Sequence, residues 1–350
     1  MRSTRVLAPV LAAGLVASLV GCSSDDTTSS DDGTSTAAVG DTLVIYSGRN
    51  ENLVSPVLDR LEEAVGMPVE VRYASSSELA AQLLEEGDAT EADLFFSQDA
   101  GALGALAKAG MLATIDDDVT TLVPENYRDG DGRWVATSGR VRVLAYDPAQ
   151  VPNIEEITTI DQILEPELAG KVAYAPSNAS FHAFVTALRV ERGEDEARAW
   201  LEAFADQDPQ AFENNNAVLD AVDGGQAAMG LINHYYWFQK TAELGEDAVN
   251  ARIHYLDGSD PGALVNVAGA GVLDGTDNPE AANEALAFLL STEIQQYFAD
   301  ETAEYPVVDG VRSTAFDLEP LADLGSDQID LNELDSLDAT LALLDEVGLT

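Results

Sequence analysis

Hydrophobic and polar positions in the first third of the chain alternate between two periods. Short apolar runs typical of buried strands are separated by longer segments whose apolar residues recur at helical spacing. Ser75 and Glu78 have the spacing of a capping box, which marks the start of the second helix. The predicted elements are strands over 43–46, 69–73 and 93–96 and helices over 51–65 and 79–86. This β-α-β-α-β order predicts an α/β fold with a mostly parallel sheet.

The same alternation continues to the end of the chain and indicates where a ligand would bind. The predicted elements are strands over 141–146, 172–175 and 229–232 and helices over 181–191, 196–205, 279–290 and 336–347. The strand over 229–232 runs through Asn233 and His234 into Tyr235 and Tyr236. Open α/β sheets bind ligands at the carboxyl ends of their strands. We therefore place the candidate site at this pair of tyrosines.

Two adjacent phenols are suited to binding a hard metal cation. Phenolate is an anionic oxygen donor of the kind that Fe³⁺ favours, and tyrosine occurs as an iron ligand in proteins. A bound cation also stabilises the deprotonated phenol. The alternative interpretation places one ring in the core and the other on the surface. Of the histidines, we interpret His182 and His254 as structural and His234 as a hydrogen-bonding neighbour of the pair.

The N-terminus has the pattern of an export signal. Arg2 and Arg5 precede an apolar run over 6–20, which is too short to span a bilayer and ends at Gly21 and Cys22. Cys22 is the only cysteine, and its place after a small residue resembles the bacterial lipobox, in which the cysteine carries the lipid. We predict a lipoprotein signal peptide over 1–21, lipidation of Cys22, a flexible linker over 22–40 and attachment to the membrane through the lipid alone.

The charge balance of the chain is strongly acidic. It has 17 lysine and arginine residues against 63 aspartate and glutamate residues, and its formal net charge is −46. Such a charge excludes nucleic acid as a partner. The acidic residues are spread along the chain, so we interpret them as a solvated surface that favours high ionic strength.

Six segments of the chain, in this order, resemble one protein family. They are 44–49 (VIYSGR), 92–101 (ADLFFSQDAG), 138–143 (SGRVRV), 233–237 (NHYYW), 261–266 (PGALVN) and 304–306 (EYP). The chain resembles the ferric-ion-binding receptors of bacterial iron ABC transporters, which have the periplasmic-binding-protein type II fold. The resemblance implies a monomer of two α/β lobes with an interlobe cleft and hinge strands. It places 41–142 and 266–316 in lobe 1 and 143–265 and 317–350 in lobe 2.

The resemblance implies that Tyr235 and Tyr236 are iron ligands. Many members of the family add a histidine after the first strand and some add a glutamate after the third, but this chain has Asn50 and Gln98 there. We place both amides in the cleft beside the ligand shell, although neither carries the charge that Fe³⁺ favours. Two phenolates offset only two of the three charges of Fe³⁺. The resemblance therefore implies a synergistic anion, carbonate or phosphate, or a ferric chelate.

The positions that resemble the anion contacts of the family lie near a predicted helix start. They are Asn178, Ala179, Ser180, Asn215 and Asn233, with Arg140 as a bidentate clamp. Free backbone N–H groups at a helix start favour an anion. The asparagines also fit turn or cap chemistry, and Arg140 also fits a salt bridge between the lobes.

We expect a lipid-anchored receptor without enzymatic activity that binds Fe³⁺ with an anion and delivers it to an ABC permease. Alternatively, the same scaffold binds another small ligand with an oxyanion, such as a phosphonate or organic acid, and the tyrosines donate hydrogen bonds. The uncharged Asn50 and Gln98 favour this alternative. A secreted hydrolase would need a nucleophile paired with a base, and the sequence shows no such spacing.

Overall fold

The computed structural model describes residues 40–321, 324 and 329–350. The strands are β1 Leu43–Ser47, β2 Val69–Tyr73, β3 Leu94–Ser97, β4 Val135–Tyr146, β5 Val172–Tyr174, β6 Gln210–Ala211, β7 Met229–Asn233, β8 Arg252–His254 and β9 Val265–Val272. The α-helices are α1 Glu51–Leu58, α2 Leu61–Val65, α3 Ser76–Glu86, α4 Ala100–Lys108, α5 Asp117–Thr120, α6 Ala179–Arg192, α7 Glu194–Asp206, α8 Asn215–Asp223, α9 His234–Leu244, α10 Pro279–Leu289, α11 Thr292–Glu301 and α12 Leu337–Val347.

The predicted membrane attachment concerns residues that the structure does not describe. The signal peptide, Cys22 and the linker up to residue 39 all lie outside the described ranges. Among the helices within those ranges, none combines the length and apolar character that a membrane span requires.

The strands form one mixed sheet in the order β2-β1-β3-β9-β4-β7-β5-β6, with β8 also paired to β4. The ends are parallel, because β1 pairs with β2 and β3, and β5 pairs with β6 and β7. The centre is antiparallel, because β9 pairs with β3 and β4, and β4 pairs with β7 and β8. The α/β class is confirmed. The prediction of a mostly parallel sheet is wrong at the centre, where β9 inserts between strands far from it in sequence.

Strand β4 joins the two parallel parts of the sheet. Residues 135–141 pair with β9, and residues 142–146 pair with β7. The exchange of partners falls between Val141 and Arg142. We predicted this strand only over 141–146, because the Thr-Ser-Gly run before it lacks the apolar pattern of a strand. In the structure nearly the whole strand is buried, so β4 carries polar side chains through the interior.

Each of the two parts of the sheet carries a large group of buried side chains. The large buried side chains of the first group include Phe95, Phe96, Trp134 and Phe298. The second group contains an aromatic cluster of Tyr174, Phe181, Phe184, Trp200 and Phe204. Fully burying one large apolar side chain contributes about 1.5–3 kcal/mol. Each part of the sheet therefore has its own stabilising core.

The last segment of the chain divides between these two cores. Leu331 and Leu334 pack in the first core, because the 3₁₀ helix Leu331–Asp335 lies against α4. Leu343 and Leu344 of α12 pack in the second core, against α6 and α7. Our assignment of 317–350 to lobe 2 remains a prediction, as do the other lobe limits.

Candidate metal centre

Tyr235 and Tyr236 lie in the first turn of α9, which begins at His234 directly after β7. Their rings stack with centroids 4.3 Å apart and an angle of 30° between the ring planes. Tyr235 is 6% exposed and packs with Phe238 and Ala303, whereas Tyr236 is partly exposed. The two phenols therefore form one stacked unit at the carboxyl end of β7.

Burial determines the protonation state of Tyr235. Burial raises the pKa of Tyr235 well above its ordinary value of 10.0, Tyr236 raises this pKa further and Arg140 lowers it. The phenol is therefore protonated at neutral pH, and a cation that bound to its oxygen would have to displace the proton. A metal ion does so by stabilising the phenolate. Metal binding at such a site releases protons and weakens as the pH falls.

Two arginines of β4 lie beside the tyrosine pair. Arg140 and Arg142 are two residues apart in the strand, so their side chains lie on the same face. Both are buried, and the charge of Tyr235 acts on both guanidinium groups. Burial lowers the pKa of Arg142 to about 10, while Tyr236 and Tyr235 oppose this shift. Positive charge close to a phenol favours the phenolate, so both arginines favour deprotonation of Tyr235.

The sequence analysis identified Arg140 but missed Arg142, which contacts Ser180, one of the predicted anion-binding residues. Nη1 of Arg142 donates to Oγ of Ser180 at 3.1 Å, and its guanidinium carbon lies 5.6 Å from the ring centre of Phe184. Nη1 of Arg140 is buried and has no hydrogen-bond partner among the residues that the structure describes. The spacing of two residues between these arginines on one strand was the signal that could have identified Arg142.

Asn178, Ser180 and Asn215 form one hydrogen-bonded cluster at the start of α6. Asn178 is the N-cap, and its Oδ1 accepts from Ser180 N–H at 2.9 Å and from Ser180 Oγ at 2.7 Å. Nδ2 of Asn215 donates to Ser180 Oγ at 3.0 Å. Oδ1 of Asn215 is buried and accepts no hydrogen bond from the described part of the chain. Ala179 is the first residue of α6. The cap role of Asn178 is confirmed, and the fold brings Asn215 and Arg142 to the same helix start.

The other predicted amides make no hydrogen bond to the tyrosine pair within the described residues. Asn50 is exposed, and its Oδ1 caps α1 by accepting Asn52 N–H at 3.0 Å. Oε1 of Gln98 is buried and has no hydrogen-bond partner within the described ranges. Asn233 is buried at the end of β7, opposite Arg142. Asn233 thus offers a buried amide and Gln98 a buried amide oxygen, whereas the oxygen of Asn50 is already used as a helix cap.

Both ring nitrogens of His234 are bonded to the main chain. Nδ1 accepts the N–H of Val141 at 3.2 Å, which places the proton on Nε2, and Nε2 donates to Ala303 O at 2.7 Å. Burial lowers the pKa of His234 to about 4, so the ring is neutral at neutral pH. His234 adjoins the pair as predicted, but its hydrogen bonds go to the backbone. Nε2 of His182 and Nε2 of His254 also bond to backbone oxygens.

The profile of the family described as bacterial extracellular solute-binding protein matches residues 89–332. The chain belongs to this family. It is 33% identical over 318 residues to the Fe(3+)-binding periplasmic protein of Serratia marcescens, covering 91% of this chain and 93% of that protein. It is 32% identical to the major ferric iron-binding protein of Neisseria meningitidis serogroup B, covering 90% of this chain and 95% of that protein.

Solved structures of similar proteins share the fold of this solute-binding protein. Iron-bound HitA from Pseudomonas aeruginosa has a TM-score of 0.81 at 32% identity, covering 88% of this chain and 99% of HitA. A Trichodesmium protein (IdiA, FutA) in complex with iron and citrate has a TM-score of 0.75 at 26% identity, covering 88% and 100%. The two-lobe fold with an interlobe cleft and hinge strands is therefore confirmed. The chain is an extracellular solute-binding protein rather than an enzyme.

This solute-binding protein also has a buried ion pair near Tyr235 that sequence reasoning missed. Nη2 of Arg49 lies 2.6 Å from Oε2 of Glu304, and the two side chains are 0% and 1% exposed. Oγ of Ser138 donates to the same oxygen at 3.0 Å. Burial raises the pKa of Glu304, but Arg49 and Arg140 lower it by more, so the pKa lies below its ordinary value. Because the partners are 255 positions apart, no local pattern predicts this pair.

The chemistry of the centre follows from these contacts. Within the described residues, no group of three or more His, Cys, Asp and Glu side chains could hold a metal ion. The two phenols become anionic donors when a cation binds, and the guanidinium and amide groups beside them are suited to an anion. The side chains present are therefore chemically suited to a cation beside an anion.

Proposed function

We propose that this chain binds ferric ion between its lobes through the phenolate oxygens of Tyr235 and Tyr236 and delivers it to an ABC permease. The observation that carries the proposal is the stacked pair of phenols beside the buried guanidinium groups of Arg140 and Arg142. Phenolate is a hard donor suited to Fe³⁺, and nearby positive charge favours its formation. The names of the relatives from Serratia and Neisseria support the same ligand.

A synergistic anion, carbonate or phosphate, completes the proposed site. Two phenolates balance two of the three positive charges of Fe³⁺, and the uncharged amides of Asn50 and Gln98 supply no further negative charge. Arg142, Ser180 and Asn215 offer side-chain donors at the start of α6, where the main-chain N–H groups also favour an anion. The complex of iron and citrate in the Trichodesmium protein supports the use of an anion.

The proposed receptor is a monomer that is anchored through a lipid on Cys22. The apolar run over 6–20 followed by Gly21 and Cys22 supports the anchor. The description of the family as extracellular agrees with export. A Cys22→Ser variant should leave the membrane fraction of cells, and its retention there would contradict the anchor.

Phenylalanine substitutions test iron binding, because they keep the rings and delete the oxygens. Purified protein would be loaded with ferric citrate in carbonate buffer, dialysed and assayed for iron and visible absorption. We expect Tyr235→Phe and Tyr236→Phe each to weaken or shift the phenolate-to-iron band, and the double variant to lose both band and iron. Tyr146→Phe is the control, because Tyr146 lies at the far end of β4. A double variant that keeps stoichiometric iron would overturn the proposal.

The cluster at Ser180 also favours a second candidate, an organic ligand with an oxyanion, such as a phosphonate, bound without iron. The phenols would then donate hydrogen bonds, as the raised pKa of Tyr235 allows. Calorimetry with a phosphonate, run beside the iron assay, separates the two functions. A colourless wild-type protein that binds the phosphonate would favour this candidate.

A further inference from the structure

Residues 302–305, which we call the hinge clasp, join parts of the fold that are distant in sequence. Tyr305 and Gly139 of β4 exchange backbone hydrogen bonds of 2.7 and 2.8 Å. Glu304 pairs with Arg49, which follows β1, at 2.6 Å with both side chains buried. The hinge clasp is thus fixed both to the strand that exchanges partners and to the loop after β1.

His234 connects the hinge clasp to the tyrosine pair. The buried ring donates through Nε2 to Ala303 O at 2.7 Å and accepts through Nδ1 from Val141 N–H at 3.2 Å. It lies 4.6 Å from the ring of Tyr305, centre to centre, and meets the ring of Tyr235 edge to face at 5.8 Å. One rigid ring therefore fixes the main chain directly before Tyr235 to both β4 and the hinge clasp.

Two further features hold this connection in place. Ala303 has a φ of 56°, in the left-handed region that is unfavourable for a residue other than glycine, and it is fully buried. Its carbonyl accepts the bond from His234. Nε2 of Gln239, further along α9, donates to Thr302 O at 2.9 Å. The start of α9 is thus held to the hinge clasp at two points, one of which retains an unfavourable backbone conformation.

We propose that His234 is a positioning residue for the tyrosine pair, which orients the first turn of α9 so that both phenolate oxygens meet one ferric ion. The inference rests on the proposed binding of iron. Tyr235 and Tyr236 belong to the turn that His234 begins, so a change in the direction of that turn moves both oxygens. A histidine with only a structural role would affect stability, whereas a positioning histidine also changes the geometry and retention of iron.

His254 supplies a matched control, because its Nε2 also lies 2.7 Å from a backbone oxygen, that of Ile157. The test compares wild type with the Leu and Gln variants at His234 and at His254. Three quantities are measured: the melting temperature without iron, the position of the visible band with ferric ion, and the rate of iron release to excess chelator.

His234→Leu should release iron about 10–100-fold faster than wild type, the scale on which groups that orient metal ligands act, and its band should shift. His234→Gln keeps a donor for Ala303 O, so its rate of iron release and its band position should lie between those of His234→Leu and wild type. The His254 variants should change the melting temperature alone.

Equal bands and equal release rates in all five proteins would overturn the positioning role, even where His234→Leu melts at a lower temperature. If His234→Leu does not fold, His234→Gln must still release iron faster than His254→Gln. A wild-type protein that retains no ferric ion would overturn iron binding itself. Failure of the positioning role alone would instead give five proteins that all bind iron and have equal bands and release rates.

Discussion

Glu304→Gln should destabilise the iron-free protein by about 3–5 kcal/mol, because it removes one partner of a buried ion pair. Oε2 of Glu304 lies 2.6 Å from Nη2 of Arg49 and 3.0 Å from Oγ of Ser138. Glutamine keeps the shape and one acceptor oxygen but not the charge. Arg49 and Arg140 then remain buried without the carboxylate that lowers their electrostatic cost.

An exposed pair of the same residue types provides the control. Nη2 of Arg60 lies 2.5 Å from Oε1 of Glu293, but the two side chains are 42% and 74% exposed. Glu293→Gln should therefore cost about 0–1 kcal/mol, as exposed ion pairs do. Both variants would be unfolded in urea and followed by circular dichroism, with the slope against denaturant used to check two-state behaviour. Equal losses below about 1 kcal/mol would refute the reasoning from burial.

The same pair makes a prediction about pH. The pKa of Glu304 lies below its ordinary value of 4.5, because Arg49 and Arg140 outweigh the raising effect of burial. A carboxyl group with a lowered pKa stabilises the fold above the pKa of the unfolded chain and loses this contribution as the pH falls through the folded value. The difference in stability between wild type and Glu304→Gln should thus be largest near neutral pH and should narrow below about 4.5. A stability difference that stays constant as the pH falls would contradict the lowered pKa of Glu304.

Three further outcomes are expected. Burial raises the pKa of Tyr255 to about 12, so the free energy of unfolding falls as the pH rises above 10.0, the ordinary pKa of tyrosine. Tyr255→Phe should remove about 1.4 kcal/mol of this loss by pH 11 in urea titrations. Parallel plots of stability against pH for the two proteins would contradict this prediction. The charge of −46 predicts a melting temperature that rises with sodium chloride, because salt screens repulsion between carboxylates, and a flat or falling curve would exclude this role. Gln98→Glu adds an anionic oxygen where Oε1 is buried and has no partner among the described residues, so iron release to a chelator should slow. Faster release would show that the carboxylate repels the bound anion.

Local patterns in the sequence predicted most helices, most strands and the position of the tyrosines. Strand β2 and the capping box of Ser75 and Glu78 occur where the pattern placed them, because both depend on neighbouring residues. The same kind of signal could have identified Asn50 as the cap of α1, since it directly precedes an amphipathic helix. Interactions between residues close together in the chain can therefore be predicted from the sequence alone.

Contacts between distant residues could not be predicted in this way. The insertion of β9 between β3 and β4 and the pairing of Arg49 with Glu304 depend on how the completed sheet packs. Arg142 could be predicted in part from the sequence. Its shared face with Arg140 follows from strand periodicity, but its contact with Ser180 depends on the placement of α6.

The visible spectrum of the wild-type protein, loaded with ferric citrate and freed of unbound iron, tests the central claim most directly. Two phenolates on one ferric ion should give a coloured protein with one iron per chain, and the Tyr235→Phe, Tyr236→Phe double variant should lose both colour and iron. A colourless wild type, or a double variant that still holds one ferric ion, would contradict the assignment of these tyrosines as iron ligands.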